Sequence, residues 1–458
     1  MSPPAPVSLS EEFHWKVQPE AAAFVGSRLQ SYLARCSTAR MLGDRLRDET
    51  GTRLIDWIDY FALAGSGPIE RQLADSGFRP EPAGTRLAWH HPDGIFPKIY
   101  LDDDPSERAA IRVDSVADFL TANQLDSHTH LEGEAGAPLR KAKVFFNGGA
   151  EMWVIERHGC PQFDCPEVTG AQIHAAAAHR AHFAHRRRKF ADPADGFEHV
   201  RHLFDAAARD LGNDWACELF FEAEREYWQG RNRAAQAQKR RQDALGMGWA
   251  NHDHHTYRSS REYFVDLICM LEHLGFECRE RFYAGREAGW GAQVLEHSAC
   301  GLVIFADVDL TPEDLVSDFA HEPLPGSERL GTVGLWCGLH GEAFLEAGMH
   351  HLECQFDFDA ARGQLAAVGV ATMKPFTEFP HLKQAFTAGE MWPVAAERAQ
   401  RLLADGLITG DQAREFVERG AIGSHLEILE RNDGYKGFNQ TGISEIITQT
   451  DPRRAAAT

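Results

Sequence analysis

Gly423-Ser-His-Leu-Glu-Ile-Leu-Glu-Arg431 is the stretch from which the fold of this chain can be predicted. Within it, the apolar residues Leu426 and Ile428 alternate with the polar residues His425 and Glu427. Alternation with a period of two is typical of a strand that buries one face and presents polar groups on the other. The stretch therefore predicts a half-buried strand whose Glu427 points into the space that the polar face encloses.

Two His-rich stretches further upstream show a similar pattern, Asn251-His-Asp-His-His-Thr-Tyr-Arg258 and Gly348-Met-His-His-Leu-Glu-Cys-Gln-Phe356. Each has the length and composition of a short strand. Two histidines and one carboxylate form the facial triad that holds Fe(II) in non-haem oxygenases, with positions left open for substrate and oxygen. The three stretches together predict a metal centre assembled from separate strands.

The composition is that of an ordinary globular protein of 458 residues, 43% of them hydrophobic. Its net charge of −21 argues against nucleic acid and anionic membranes as partners, because both attract basic proteins. The nine cysteines follow no framework of spacings, which predicts reduced thiols in the cytoplasm. No stretch has the apolar length of a membrane span, and the first residues lack a signal-peptide pattern. We therefore expect a cytoplasmic protein that acts on small molecules.

Three regions follow one another along the chain. Residues 1–165 predict an N-terminal α+β domain, with helical spacing from about Glu20 to Leu63 and short strands towards its end. Residues 166–245 change to long polar helical runs, which predict a helical insertion or bridge. Residues 246–450 contain all three of the stretches described above and predict the metal-binding domain.

The metal-binding region contains one order of elements twice. Strand 252–258 is followed by a helix over 261–274, which begins with a capping box, and then by three further strands. The second copy starts at His351, and its last strand is delayed by a helical insertion at 390–419. Two βαβββ modules can close into a half-open barrel with a polar cup inside and helices outside. We predict an α+β fold of paired βαβββ modules, with a degenerate module in the N-terminal region.

The last strand and the residues after it resemble the vicinal oxygen chelate superfamily, and within it the 4-hydroxyphenylpyruvate dioxygenases and the 2-oxoadipate dioxygenase/decarboxylases. Those dioxygenases end in a Leu-Glu-Ile strand, a Gly-Phe-Gly turn and a closing helix. Leu426-Glu-Ile-Leu-Glu-Arg431 and Gly437-Phe-Asn-Gln-Thr-Gly-Ile-Ser-Glu-Ile-Ile447 are similar to these elements. The chain departs from the pattern at Glu430, Asn439 and Gly442, and these departures leave the substrate open.

The resemblance implies which residues bind the metal. The ligand glutamate of the family lies four residues before the arginine of the last strand, which is Glu427 here. The first ligand histidine stands four residues before a substrate-binding arginine, a spacing shared by His254 and Arg258. The second histidine precedes a leucine at the start of the second module, which points to His351. His252 is kept as the alternative to His254, because strand alternation places both on one face.

The resemblance further implies an Fe(II)-dependent dioxygenase that acts on a 2-oxo acid. The 2-oxo acid would chelate Fe(II) through its carboxylate and keto oxygens, and O2 would drive oxidative decarboxylation with hydroxylation of the remaining fragment. Arg258 is expected to bind a carboxylate, because its planar fork matches two oxygens. Gln293, Gln355 and Phe438 complete the expected substrate-binding set, and the closing segment 437–447 is expected to gate the site.

Three other functions stay open at this point. A metal-dependent lyase or isomerase of the glyoxalase type would need a fourth protein ligand, for which Gln293 and Glu296 are candidates. An extradiol ring-cleaving dioxygenase would use the same triad, with His425 and Tyr435 as acid/base groups. A non-enzymatic protein would use the cup as a ligand-binding site. Whether the modules pair within one chain or across a homodimer also stays open.

We expect one metal site, in the C-terminal half of the chain. Trp153-Val-Ile-Glu-Arg157 repeats the pattern of the last strand, and Trp153 stands where that strand has Glu427. The N-terminal module is therefore expected to lack a metal ligand at this position.

Overall fold

The computed structural model describes residues 15–84, 86–125, 131–327, 329–439 and 451–453. Two mixed β-sheets, one in each half of the chain, are joined by a run of helices. The order of the strands is the same in both sheets, as their elements show.

The N-terminal half begins with two helices and continues into an eight-stranded sheet. Its elements are α1 (Pro19–Arg35), α2 (Ser37–Arg45), β1 (Ile58–Ala64), α3 (Gly67–Asp75), β2 (Arg79–Ala83), β3 (Arg86–His90), β4 (Lys98–Asp102), β5 (Glu107–Arg112), α4 (Val116–Ala122), β6 (Leu131–Glu132), β7 (Leu139–Asn147) and β8 (Ala150–Arg157). The strand order is β2-β3-β4-β1-β5-β8-β7-β6, with β1 and β5 antiparallel at the centre. Each half of this sheet is one βαβββ module.

Four helices connect the two sheets, α5 (Gly170–Ala184), α6 (Pro193–Leu211), α7 (Asn213–Gln229) and α8 (Arg233–Asp243). The first begins with a capping box, in which Thr169 and Gln172 satisfy each other's free backbone groups. Helix α7 is buried along most of its length, and its apolar residues belong to the same hydrophobic core as the C-terminal sheet. The predicted helical region is therefore packed against the C-terminal half.

The C-terminal half forms a nine-stranded sheet with helices around it. Its elements are β9 (His252–Arg258), α9 (Phe264–His273), β10 (Glu277–Tyr283), β11 (Trp290–His297), β12 (Leu302–Asp309), α10 (Thr332–His340), β13 (His351–Gln355), α11 (Phe358–Ala367), β14 (Thr377–Phe379), β15 (Leu382–Phe386), β16 (Glu390–Trp392), α12 (Ala396–Ala404), α13 (Gly410–Arg419) and β17 (Ala421–Arg431). The strand order is β10-β11-β12-β9-β13-β17-β15-β14, and β16 pairs with β17.

The two modules of the C-terminal sheet meet at their first strands. Strands β9 and β13 are antiparallel neighbours, as β1 and β5 are in the N-terminal sheet. The predicted α+β fold of paired βαβββ modules is thereby confirmed, and the modules pair within one chain. The helical insertion predicted over 390–419 is present as α12 and α13, but its first residues form the strand β16, which pairs with β17.

The N-terminal half differs from the prediction in two respects. Helical spacing predicted a helix as far as Leu63, but residues 54–57 form one 3-10 turn and β1 follows directly. This strand is central and largely buried, so its apolar run has no period-two signal and resembles a buried helix. The sequence consequently predicts one degenerate module where the structure has two.

Among the described residues, no helix combines the length and the apolar character needed to span a bilayer. The boundaries predicted at residues 165 and 245 fall between elements, after β8 and after α8. As limits of independent domains they stay predictions.

Candidate metal centre

A narrow cavity of about 60 Å³ lies among the strands of the C-terminal sheet. Its apolar wall is aromatic, formed by Phe282, Trp290, Phe305, Phe376, Phe386 and Phe438. Its polar wall is formed by His254, Thr256, Arg258, Asp307, His350, His351, Glu353, Gln384 and Glu427. An apolar pocket with a few convergent polar groups is the usual form of a small-molecule site.

The cavity brings together the three ligands predicted from the sequence. His254 lies on β9, His351 begins β13 and Glu427 lies on β17, and these strands are neighbours in the sheet. The Nε2 atom of His351 is 3.6 Å from Oε2 of Glu427. Ligand atoms of His254 and Glu427 lie within 4.8 Å of each other. All three side chains are buried, so the structure assembles the residues of the predicted triad in one place.

A fourth ligand candidate, Glu353, lies between the two histidines. Its Oε1 atom is 2.6 Å from Nε2 of His351 and 2.9 Å from Nε2 of His254. The same oxygen accepts a hydrogen bond of 3.1 Å from Thr256. The predicted ligand set does not include Glu353, although strand alternation places it on the same face as His351. Strand alternation therefore indicated that Glu353 faces the cavity. The prediction omitted it because the family motif has only one carboxylate.

The donor atoms fit a divalent metal ion. Two ligand atoms bound at about 2.1 Å in adjacent positions lie roughly 3 Å apart. The distances from Glu353 to the two histidines and from His351 to Glu427 are 2.6, 2.9 and 3.6 Å, and the group whose ligand atoms all lie within 4.8 Å consists of His254, Glu353 and Glu427. Burial raises the pKa of Glu427 to about 7 and raises that of Glu353 well above its ordinary value. A doubly charged cation would offset the free-energy cost of burying two negative charges, because it balances the two carboxylates. Imidazole and carboxylate donors suit Fe(II), Mn(II) and Zn(II).

A β-bulge decides which histidine of β9 faces the cavity. His255 pairs with Leu352 whereas His252 pairs with Cys354, so β9 contains one residue more than β13 over this span. The extra residue reverses the alternation and brings the ring of His252 to 5.1 Å from that of His255. The expectation that His252 and His254 share a face is therefore wrong, and His252 lines clefts on the other side of the sheet.

Neighbouring side chains hold further polar atoms of His254 and Glu427. Asp253 accepts a hydrogen bond of 2.8 Å from Nδ1 of His254 and is itself bound by Arg431. Glu427 accepts a hydrogen bond of 2.8 Å from the amide of Gln384. A carboxylate behind a histidine fixes the ring and leaves the lone pair of Nε2 free for a metal. His254 is therefore oriented for coordination through Nε2.

Asp253→Asn is expected to weaken metal binding about 10- to 100-fold, the usual effect of losing the partner behind a ligand histidine. The neutral amide no longer stabilises the proton on Nδ1 of His254. Competition between the protein and a chromogenic chelator for Mn(II) measures this affinity. Gln355→Ala is the control, because Gln355 donates to the same carboxylate at 3.2 Å and contacts no ligand. Equal affinities in the two variants would contradict the orienting role of Asp253.

Arg258 is buried in the same cavity, and part of its hydrogen-bonding capacity is unused. Its side chain is 2% exposed, and the carboxylate oxygen of Asp307 is 3.9 Å from its Nε. Within the described parts of the chain, its Nε and Nη1 atoms have no hydrogen-bond acceptor. Burial raises the pKa of Asp307 to about 7. A carboxyl group with this pKa is only partly ionised near neutral pH, so it balances the positive charge of Arg258 incompletely. Buried charged donors without acceptors are costly, so this position favours an anionic ligand.

The other predicted substrate-binding residues divide into two groups. Phe438 lines the cavity, and its ring is 5.0 Å from that of His254. Gln293 does not line it, and its amide donates to the backbone carbonyls of Glu280 and Val294. Gln355 lies beyond the bulge and donates to Asp253 outside the cavity. Neither Gln293 nor Gln355 lines this cavity, and their contact with substrate stays a prediction.

The residues proposed for the alternative functions are also outside the cavity. Glu296 is ion-paired with basic side chains and does not reach the histidines, so the structure offers Glu353 as the fourth ligand instead. His425 donates from Nδ1 to the carbonyl of Thr387 at 2.9 Å. Neither His425 nor Tyr435 lines the cavity, so the acid/base pair of an extradiol enzyme is not assembled there.

The predicted gate, segment 437–447, lies only partly within the described residues. Residues 440–447, with Gly442 among them, lie outside that part of the chain. In the described part, Asn439 donates a hydrogen bond of 2.9 Å to Thr377, next to the ring of Phe438. The gating role stays a prediction.

The N-terminal sheet has different residues at the positions of the ligand candidates. Matched by strand register, the counterparts of His254, His351 and Glu427 are Tyr60, Arg108 and Trp153. This triplet lacks the imidazole and carboxylate donors of the C-terminal cavity. From the sequence, Trp153 is expected at the position that corresponds to Glu427, and the strand register agrees with this expectation.

Neither a family model nor a curated relative matches the chain. Several solved structures do. A methylmalonyl-CoA epimerase from Mycobacterium tuberculosis is 14% identical over 40% of this chain and 88% of its own, with a TM-score of 0.23. A mutant of 4-hydroxymandelate synthase from Streptomyces coelicolor is 13% identical over 87% of this chain and 98% of its own, with a TM-score of 0.29. A Mn(II)-bound glyoxalase from Novosphingobium aromaticivorans is 8% identical over 83% and 84%, with a TM-score of 0.19.

The fold follows from the order and pairing of the strands. Both sheets consist of two βαβββ modules that meet at antiparallel first strands. By the order and pairing of its strands, the chain has the paired-module fold of the vicinal oxygen chelate superfamily, as the sequence resemblance predicted.

Proposed function

We propose that this chain is an Fe(II)-dependent dioxygenase that acts on a 2-oxo acid, with the metal bound by His254, His351 and Glu427. The observation that carries the proposal is the position of Arg258. Its unused donors lie in the same cavity as two histidines and a carboxylate. A substrate that chelates the metal and also carries an anionic group would satisfy both parts of the site.

Each group of residues in the cavity has a separate role in this proposal. When bound, the metal would supply coordination positions for the keto and carboxylate oxygens of the substrate and for O2. Arg258 binds a substrate carboxylate and fixes its orientation. The rings of Phe305 and Phe438, with centroids 4.5 Å apart, cover His254 and exclude water from the reacting atoms.

The free volume limits how a substrate can enter. About 60 Å³ accommodates only a few non-hydrogen atoms. A 2-oxo acid of ordinary size therefore requires movement of a wall, and Phe438 belongs to the segment predicted to act as a gate. A requirement for such movement is common in enzymes that protect a reactive intermediate from water.

Anaerobic reconstitution with Fe(II), followed by addition of O2 and a panel of aromatic and dicarboxylic 2-oxo acids, tests the proposal. We expect O2 uptake and CO2 release in equal amounts with at least one of these acids. Metal binding without O2 uptake on any substrate would contradict the dioxygenase, and absence of metal binding would contradict the triad.

A metal-dependent lyase or isomerase is the second candidate, and Glu353 is the observation that favours it. A fourth protein ligand leaves two positions of an octahedral shell, enough for a chelating substrate but not for O2 as well. Such an enzyme would use Zn(II), Ni(II) or Mn(II) and would need no oxygen.

Glu353→Gln separates the two candidates. For the dioxygenase with three ligands, we expect the variant to retain Mn(II) affinity within about tenfold of the wild type, because Glu353 contacts Nε2 of the histidines only while the metal is absent. The same chelator competition measures it. A loss as large as that of a Glu427 variant would identify Glu353 as a ligand and would favour the lyase or isomerase.

A further inference from the structure

A second buried cluster of reactive groups lies where the bridging helices meet the C-terminal sheet. It consists of Cys217 on α7, His297 at the end of β11 and Cys300 in the turn before β12. One ligand atom from each lies within 4.8 Å of the others, and none of the three is more than 3% exposed. None lines the cavity of the candidate metal centre, so the cluster is a separate feature.

The hydrogen bonds of His297 decide between metal binding and thiol chemistry. The backbone N–H of Cys300 donates to Nδ1 of His297 at 3.3 Å. Because Nδ1 accepts, the proton of the neutral ring is on Nε2. That nitrogen faces the sulfur of Cys300 at 4.0 Å and the carboxylate of Asp214 at 3.7 Å. A protonated Nε2 is a donor to a thiolate and cannot be a zinc ligand.

We propose that Cys300 and Cys217 form a peroxide-oxidisable dithiol, in which His297 stabilises the Cys300 thiolate and Cys217 closes a disulfide. The Cys300 thiolate attacks a hydroperoxide oxygen, so an S–O bond forms while the O–O bond breaks and leaves hydroxide. That hydroxide takes the proton of Cys217 to give water, and the Cys217 thiolate attacks the sulfenic sulfur, so the S–S bond forms while the S–O bond breaks and a second hydroxide leaves. Two thiols and one hydrogen peroxide thus give one disulfide and two water molecules.

The surroundings of Cys300 favour the role of attacking thiol. A hydrogen bond from Cys217 lowers the pKa of the Cys300 thiol, and His297 adds to this effect although burial opposes it. Burial raises the pKa of Cys217 far above its ordinary value, so that residue remains a thiol. Cys300 therefore has the lowered pKa of an attacking cysteine, and Cys217 has the raised pKa of a resolving cysteine.

A small oxidant can reach the cluster from the space between the two halves of the chain. Cys300 and its neighbours Ala299 and Gly301 line a cleft of about 570 Å³, whose opposite wall includes residues of the N-terminal sheet such as Asp59. Hydrogen peroxide is close to water in size. The resulting disulfide would link α7 covalently to the β11–β12 turn and would fix the bridging helices to the C-terminal sheet.

Peptide mapping of the full-length protein tests the proposal without any substitution. The reduced chain, loaded with Mn(II) to avoid reactions of iron with peroxide, is treated with one equivalent of hydrogen peroxide and digested under non-reducing conditions. We expect a cross-linked peptide pair containing Cys217 and Cys300, lighter than the reduced pair by two hydrogen atoms. The exposed residues Cys269 and Cys278 serve as internal references for accessible thiols.

Two variants extend the test. In Cys217→Ser we expect a sulfenic acid at Cys300 that dimedone traps, and in His297→Leu we expect disulfide formation to slow by at least about tenfold. Wild-type protein in which Cys217 and Cys300 stay reduced while Cys269 is oxidised would overturn the proposal. So would tightly held zinc that survives His254→Ala and is lost in Cys217→Ser, because the cluster would then be a metal site.

Discussion

Glu427→Ala is expected to lower the affinity for Fe(II) or Mn(II) by more than about 100-fold. Loss of a group behind a ligand already costs 10- to 100-fold, and Glu427 is itself the proposed ligand. The substitution also leaves the amide of Gln384, which donates to Glu427 at 2.8 Å, without its acceptor. Chelator competition gives the affinity, and elemental analysis of the purified protein gives the metal content.

Glu430→Ala is the matched control for this prediction. Glu430 lies on the same strand, accepts a hydrogen bond from the backbone of Phe358 at 2.8 Å and does not line the cavity. We expect its removal to leave metal affinity unchanged. If Glu427→Ala and Glu430→Ala bound metal equally well, the predicted triad would be wrong.

Arg258→Met is expected to lower kcat/KM for the best 2-oxo acid by about 100- to 1,000-fold. Removing one partner of a buried, hydrogen-bonded charge pair costs roughly 3–4 kcal/mol, and each 1.4 kcal/mol is tenfold. Methionine keeps much of the volume and removes every donor. Arg258→Lys keeps the charge and loses the planar fork, so we expect it to recover only part of the activity. Steady-state O2 uptake measures both variants.

The control for the arginine variants is Arg261→Met. Arg261 is only three residues away, but Asp314 binds its guanidinium through hydrogen bonds of 2.7 and 2.9 Å. It lines no part of the cavity, so its loss is expected to affect stability and not KM. Unchanged kcat/KM in Arg258→Met, with normal metal content, would show that Arg258 does not bind the substrate.

Much of the C-terminal fold could be predicted from the sequence because local signals agree there. The helix predicted over 261–274 is observed as Phe264–His273, and the strand predicted over 252–258 has the same limits in the structure. In the N-terminal half the central strand Ile58–Ala64 is largely buried, and burial removes the alternation on which strand prediction depends. For this reason the sequence predicts only one module in that half, whereas the structure has two.

The candidate site was only partly predictable. The triad lies on strands with clear alternation, and the spacing of His254 to Arg258 was informative. The bulge in β9 depends on pairing with β13, which no local pattern in the sequence shows. For that reason the expected common face of His252 and His254 was wrong. Glu353 was on the predicted face, but its contact with both histidines depends on how three strands are arranged in space.

Anomalous diffraction from crystals grown with Mn(II) tests the central claim most directly. We predict one strong peak per chain, within about 2.3 Å of Nε2 of His254, Nε2 of His351 and a carboxylate oxygen of Glu427. The same map would show whether Glu353 coordinates the ion or has moved away. A peak at any other group of residues, or no peak at a saturating Mn(II) concentration, would contradict the proposed metal centre.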